Sequence, residues 1–166
     1  IGLGSWGDFR AGLNATYTDT YTWQEGPDKP VREAKGHQNN SFGAVPIIPE
    51  WRANLSLGWS LGNHSISTTV RYIDEVMFDA NEFSWQQYLR PQNLWTTTDV
   101  IRAWTQTDMF YTYNNLEVYG GNATLSLGAR NLFDREAQKT GMIAGVVSQL
   151  QSPLGRMLYA RVGYEF

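Results

Sequence analysis

Residues 155–166 read GRMLYARVGYEF, and from Leu158 onward their alternation has no fault. Leu158, Ala160, Val162, Tyr164 and Phe166 fall on one side, and Tyr159, Arg161, Gly163 and Glu165 on the other. A period of two with unlike faces is the signature of a β-strand between two environments. Arg161 and Glu165 need water or polar partners. The opposite side is apolar throughout and ends on a large ring at Phe166, where a soluble domain more often ends in a polar, frayed tail. The stretch therefore predicts a membrane-crossing strand, with lipid against one face and a polar lumen against the other.

The same pattern recurs upstream and gives the expected fold class: all-β, an antiparallel up-and-down transmembrane β-barrel segment of about six strands. The cleanest copy, residues 50–61, sets Trp51, Ala53, Leu55, Leu57, Trp59 and Leu61 against Arg52, Asn54, Ser56, Gly58 and Ser60. Eleven residues at about 3.3 Å, tilted about 45°, rise roughly 25 Å, the height of an apolar membrane band. Trp51 and Trp59 stand near its ends, where an apolar ring with a polar N–H suits the headgroup level. A first strand, about residues 7–22, alternates Phe9, Ala11, Leu13, Ala15 and Tyr17 with Asp8, Arg10, Gly12, Asn14 and Thr16. A third, 64–78, turns Ile66, Thr68, Val70 and Tyr72 outward. The fourth, 107–118, loses phase when Leu116 and Val118 follow Met109, Tyr111 and Tyr113, as a bulge would cause. The fifth, 122–135, and the closing strand, 155–166, complete the set. Short turns at 61–64 and 119–122 alternate with long loops at 23–49, 79–106 and 136–154, the first rich in Pro, Gly and charge.

Composition removes several classes of function. There is no cysteine, so neither a disulfide framework nor a thiolate metal site is available, and two histidines leave no His-rich metal centre. A net charge of −3 offers no basic stripe for nucleic acid. No 18-residue apolar run exists for a transmembrane helix, and the mean hydropathy is negative; barrel strands average to such values because only their alternation carries the signal. Gly2, Gly4 and Gly7 match a dinucleotide-binding spacing, but a strand follows them where that motif needs a helix, so they read as a turn. The opening lacks a basic then apolar leader, so the reading expects one to have been removed or the chain to begin within a longer protein.

Asn131, Leu132, Phe133 and Asp134, followed by a loop and a last strand ending in aromatic-x-Phe, resemble the C-terminal end of the TonB-dependent outer-membrane receptors. The order of the other parts, including Val45 to Trp51 leading into a strand, extends that resemblance along essentially the whole chain. It implies the last six strands of a 22-stranded barrel closed by a plug, with no plug domain within these residues. It further implies the outer membrane of a Gram-negative bacterium, periplasmic short turns, extracellular long loops, and active uptake of a scarce ligand such as a siderophore–iron complex, driven through TonB. Implied partners are outer-membrane lipid, the remaining barrel and plug, and the barrel-assembly machinery, which would read Leu158, Val162, Tyr164 and Phe166 in the last strand. Those same residues serve equally as plain lipid contacts.

Trp85, Tyr88, Arg90, Trp95 and Arg102 in the second long loop combine rings and cations suited to a ring-bearing or anionic small molecule. They serve equally as packing between loops or as membrane-surface anchors. Asp8, Arg10, Arg52, Arg71, Arg130, Arg161 and Glu165 are expected to pair across the lumen or with a plug. No enzyme activity is expected: His37 and His64 fall on opposite ends of the strands, which leaves no nucleophile with an oriented base. No cofactor is expected either. The alternatives are a soluble all-β carbohydrate-binding module and a small autonomous outer-membrane barrel with a structural or adhesive role.

Overall fold

A computed structural model describes residues 4–39, 45–77, 100–140 and 145–166. After a short 3-10 turn at Gly4–Trp6 come β1 (Asp8–Tyr17), β2 (Thr22–Trp23), β3 (Arg32–Glu33), β4 (Trp51–Leu61), β5 (His64–Ile73), β6 (Val76–Met77), β7 (Val100–Ile101), β8 (Trp104–Val118), β9 (Gly121–Arg130) and β10 (Met157–Glu165). The six long strands form one antiparallel sheet in the order β1-β4-β5-β8-β9-β10, while β2–β3 and β6–β7 make two small ribbons. The fold is all-β and up-and-down. Among the described residues β1 and β10 pair on one side only.

Pairing keeps like with like. The row through Phe9 passes Trp59, Ile66, Tyr111 and Leu127 and arrives at Ala160. The neighbouring row through Arg10 passes Gly58, Ser67, Phe110 and Gly128 and arrives at Tyr159. Because the side-chain period is two, a slip by one residue anywhere would mix these sets, so the composition of the faces fixes the register. Two tight connections, at Leu61–His64 and Val118–Gly121, leave one end of the sheet, and three long ones leave the other.

Strand limits differ from the sequence expectation at identifiable places. The strand expected over 7–22 ends at Tyr17: Thr18 N–H still donates to Glu50 O (2.9 Å), and the chain then departs. The strand expected over 64–78 stops at Ile73, because the Asp74 carboxylate accepts from Tyr72 O–H (2.8 Å) and Glu75 N–H (3.0 Å) and turns the chain into β6. The strand expected over 122–135 stops at Arg130, since Asn131 adopts φ 51° and leaves the pleat. The loop expected over 79–106 gives up Trp104, Thr105 and Gln106 to β8. In β8 the phase slip is a bulge: between the Tyr113–Leu125 and Leu116–Ala123 pairs, Asn114 and Asn115 face Thr124 alone. Asn115 takes φ 56°, and Leu116 and Val118 thereby rejoin the apolar side.

The sheet is a single layer, and its edge strands are exposed on both faces. The buried apolar cluster lies off the sheet, among the long connections, where Val76, Ile101, Val147 and Leu150 pack with Ile47 and Ile73. On the polar face one position is filled by a neighbour's ring. Gly128 lies between Phe110 and Tyr159 in register, and those two rings meet across it with centroids 5.4 Å apart. A Cβ on Gly128 would come within 2.5 Å of the Tyr159 ring. Gly128→Ala is therefore expected to cost about 1 kcal/mol by displacing that ring pair, and to cost little in a Tyr159→Ala background. Unfolding midpoints of the two single variants and the double variant measure this; an equal loss in both backgrounds would rule the ring contact out as the cause.

Candidate functional site

The apolar face has a definite layout. Near the tight turns, rings occupy Phe9, Trp59, Tyr111, Tyr113, Tyr164 and Phe166; near the long connections, Tyr17 stacks on Trp51 with centroids 4.7 Å apart, and Tyr72 lies close by. Between them the face is aliphatic apart from Thr68 and Thr107, and among the described residues it is uncovered: Leu13, Leu158 and Val162 are each 72 % exposed. The ring border runs diagonally to the pairing rows. Phe9 marks it on β1, but the same row reaches β10 at Ala160, six residues before Phe166. Leu158, Val162, Tyr164 and Phe166, singled out from the sequence, all belong to this exposed face or its border.

At the other end, the Asn131–Asp134 motif forms a staple. Asn131 is 2 % exposed, and its left-handed backbone directs its N–H to the Asp108 carboxylate (2.9 Å). Its side-chain amide donates to Arg135 O (2.9 Å) and accepts from Arg135 N–H (2.9 Å), closing a tight loop. Leu132 N–H donates to Thr107 O (2.8 Å), and Asp134 Oδ1 accepts from Arg156 N–H (2.7 Å), which reaches the start of β10. Phe133 stays exposed. Arg135 adds bonds to Ala103 O (2.7 Å) and Thr105 O (3.4 Å) and lies over the Trp104 ring at 5.1 Å. Three strands are thus fastened at one level.

Asp108 is the hub of that level. Its buried carboxylate also accepts from Gln106 Nε2 (2.9 Å) and from the Arg71 guanidinium, with Arg130 Nε at 3.9 Å. Of the seven charged residues expected to pair across the polar face, Arg71 and Arg130 thus converge on an acid outside that set, and Arg52 instead donates to Ile47 O (3.4 Å). The available signal was the run Gln106, Thr107, Asp108, polar residues two apart that share Arg71's face.

The candidate ligand residues are placed only in part. Trp85, Tyr88, Arg90 and Trp95 lie outside the described residues. Arg102 has an exposed side chain on a clamped backbone: its N–H donates to Gln138 Oε1 (2.9 Å), and its carbonyl accepts from Gln151 Nε2 (2.8 Å). Gln138 Nε2 also donates to Val100 O (2.9 Å), while Gln138 N–H donates to Gln151 Oε1 (2.6 Å). On the opposite flank Met77 N–H donates to Gly36 O (2.7 Å), and its carbonyl accepts from Gln38 N–H (3.0 Å). The β6–β7 ribbon is therefore gripped by the first long connection on one side and the third on the other. In the first connection, the Glu33 carboxylate accepts from Tyr21 N–H and Lys35 N–H, both at 3.0 Å. Those two bonds, Tyr21's foremost, hold its pKa below the usual 4.5.

Comparison with family models, with curated proteins and with solved structures returns no match.

Asp108→Ala leaves the Asn131 N–H and the Gln106 amide without their acceptor and two arginines without their counter-charge. It is expected to destabilise the sheet by on the order of 3 kcal/mol, read as a shift in the urea midpoint; a shift no larger than that of Asp8→Ala would remove Asp108 from the hub role. The Glu33 bonds favour the folded state above pH 4.5 and are lost as pH falls through the lowered folded-state value. Amide exchange at Tyr21 and Lys35, corrected for intrinsic pH dependence, should accelerate only below 4.5. Acceleration between pH 5 and 6 would contradict it.

Proposed function

We propose that this chain is a transmembrane segment of a larger β-barrel in the outer membrane of a Gram-negative bacterium, with its apolar face against lipid and its polar face toward the lumen. The diagonal ring border carries the reading. A drift of six residues over the five steps from β1 to β10 is roughly 20 Å along the strands against roughly 24 Å across them, a tilt of about 40°. Tilts of about 35–45° are what membrane barrels require, so a border level with the membrane surface must cross the pairing rows at such an angle. On β1 the apolar stretch runs from Phe9 to Tyr17, and on β10 from Leu158 to Phe166. Both cover eight steps, so the band keeps constant height while the register shifts beneath it.

The free sides of β1 and β10 supply the argument for a larger barrel, because unpaired backbone groups are not tolerated against hydrocarbon. The motif Asn131–Asp134 and the aromatic end of β10 support the narrower reading, a receptor of the TonB-dependent kind that imports a scarce small ligand with energy passed through TonB. In that reading the long connections face outward and Arg102 stands among the ligand-contacting candidates. The last strand offers its apolar residues to the assembly machinery, and the polar face meets a plug. Binding and transport are its work, with no bond chemistry.

Substitution by depth tests the membrane reading. Leu13 is midway between the borders on β1, so Leu13→Arg should cost about 2–4 kcal/mol for folding into lipid vesicles, whereas Phe9→Arg at the border should cost about 0–1. Leu13 is highly exposed, so in a sheet bathed by water both changes would be nearly neutral. Equal folding of the two variants would sink the proposal, as would a monodisperse, folded chain in buffer without detergent.

A further inference from the structure

The apolar rows of the six strands carry aliphatic, aromatic, hydroxyl or thioether side chains, with Gly121 bare and one imidazole among them. That imidazole is His64, at the start of β5, the single basic side chain on those rows. It lies at the ring border on the tight-turn side, paired in register with Leu61 and Tyr113. Its Nδ1 is 2.7 Å from the Tyr111 hydroxyl, and its ring meets the edge of Tyr113 with centroids 4.9 Å apart. Nε2 has no hydrogen-bond partner among the described residues. The titratable groups facing it are the two phenols from β8. No Asp, Glu, Lys or Arg shares the face on β4, β5, β8 or β9.

We propose that His64 and Tyr111 form a binding site for the phosphate ester of a phospholipid headgroup, a site that strengthens when His64 is protonated. The inference rests on the membrane reading above, which sets this border at headgroup level. With the ring neutral, Tyr111 O–H donates to Nδ1, and the proton on Nε2 is the one outward donor. On protonation Nδ1–H donates to the Tyr111 oxygen instead, and the phenol hydrogen is released to turn outward. One proton thus adds a positive charge and a second donor, the set that a singly charged phosphodiester accepts. Tyr113 packs against the ring and limits its rotation. A carboxylate on the face would compete for the same charge, and none is present among the described residues.

The test uses the complete barrel that carries these residues, in dodecyl maltoside, with retained lipid counted by native mass spectrometry. The lipids are phosphatidylglycerol and a monoglucosyl diacylglycerol with the same acyl chains, offered at pH 5.5 and at pH 8. At pH 5.5 one phosphatidylglycerol should be held about tenfold more tightly than the glycolipid, the scale of a charge-assisted bond, and the preference should shrink at pH 8. His64→Gln should abolish the preference, Tyr111→Phe should reduce it, and His37→Gln should leave it intact. An undiminished preference in folded His64→Gln and Tyr111→Phe chains overturns the site alone. Full displacement by millimolar inorganic phosphate overturns the lipid assignment. Tolerance of Leu13→Arg in vesicles brings down the membrane reading and this site with it.

Discussion

Among the described residues the sheet is one layer with no protein partner for its apolar side, and the rest of the described structure is arranged around that constraint. Within the sheet, each inner strand satisfies its backbone from both neighbours, so the pairing needs no second layer to hold its geometry. What a second layer would ordinarily add is burial, the largest favourable contribution to folding in water. Among the described residues the buried apolar cluster amounts to four residues in the loops with two partly buried neighbours, little burial for a sheet of six strands. The free energy that holds six strands together must come from whatever covers the rows of Leu13, Leu57, Leu127 and Val162. The proposed lipid phase, with further strands beside β1 and β10, would supply both requirements at once.

The two ends of the sheet solve different problems. At the tight turns the chain reverses within a few residues, and rings collect on the apolar side. At the other end three long connections must be brought back to a single level, and this is where polar chemistry concentrates. Asp108, buried against Gln106, Arg71 and the Asn131 N–H, ties the end of β9 to the middle of β8, and Asp134 ties the start of β10 to the same turn. The resemblance motif is thus an anchoring device in this chain. Gln138 and Gln151 extend the same logic outward by holding the backbone of Val100 and Arg102.

Sequence legibility followed the contrast between faces. β4 could be read to within one residue because every odd side chain from Trp51 to Leu61 is apolar and every even one polar or glycine. The six-residue drift of the ring border was also present in the sequence, but only pairing partners give it meaning. Trp104 reads as loop in the sequence because it lies on the polar face, where its burial beneath Arg135 inverts the expected pattern. The loop cluster was unreadable in principle: Val76, Ile101 and the Val147–Leu150 pair come from short apolar runs far apart in sequence, and no local period joins them. The same holds for the Asp108 hub, whose partners come from β5, β8 and the turn after β9. Of the residues proposed for ligand contact, Arg102 alone falls within the described structure, at the foot of the second long connection.

The bulge in β8 has a consequence at the level of the gene. Asn114 and Asn115 together face Thr124, so one of the two codons is surplus to the pairing. Removing a codon elsewhere in a long strand would invert the side-chain order beyond the cut and send leucines onto the polar face. Removing Asn115 would instead set Leu116 opposite Ala123 in unbroken alternation with Tyr113, each residue keeping its side. Strand β8 therefore contains one point at which its length can change by a single residue without rewriting either face.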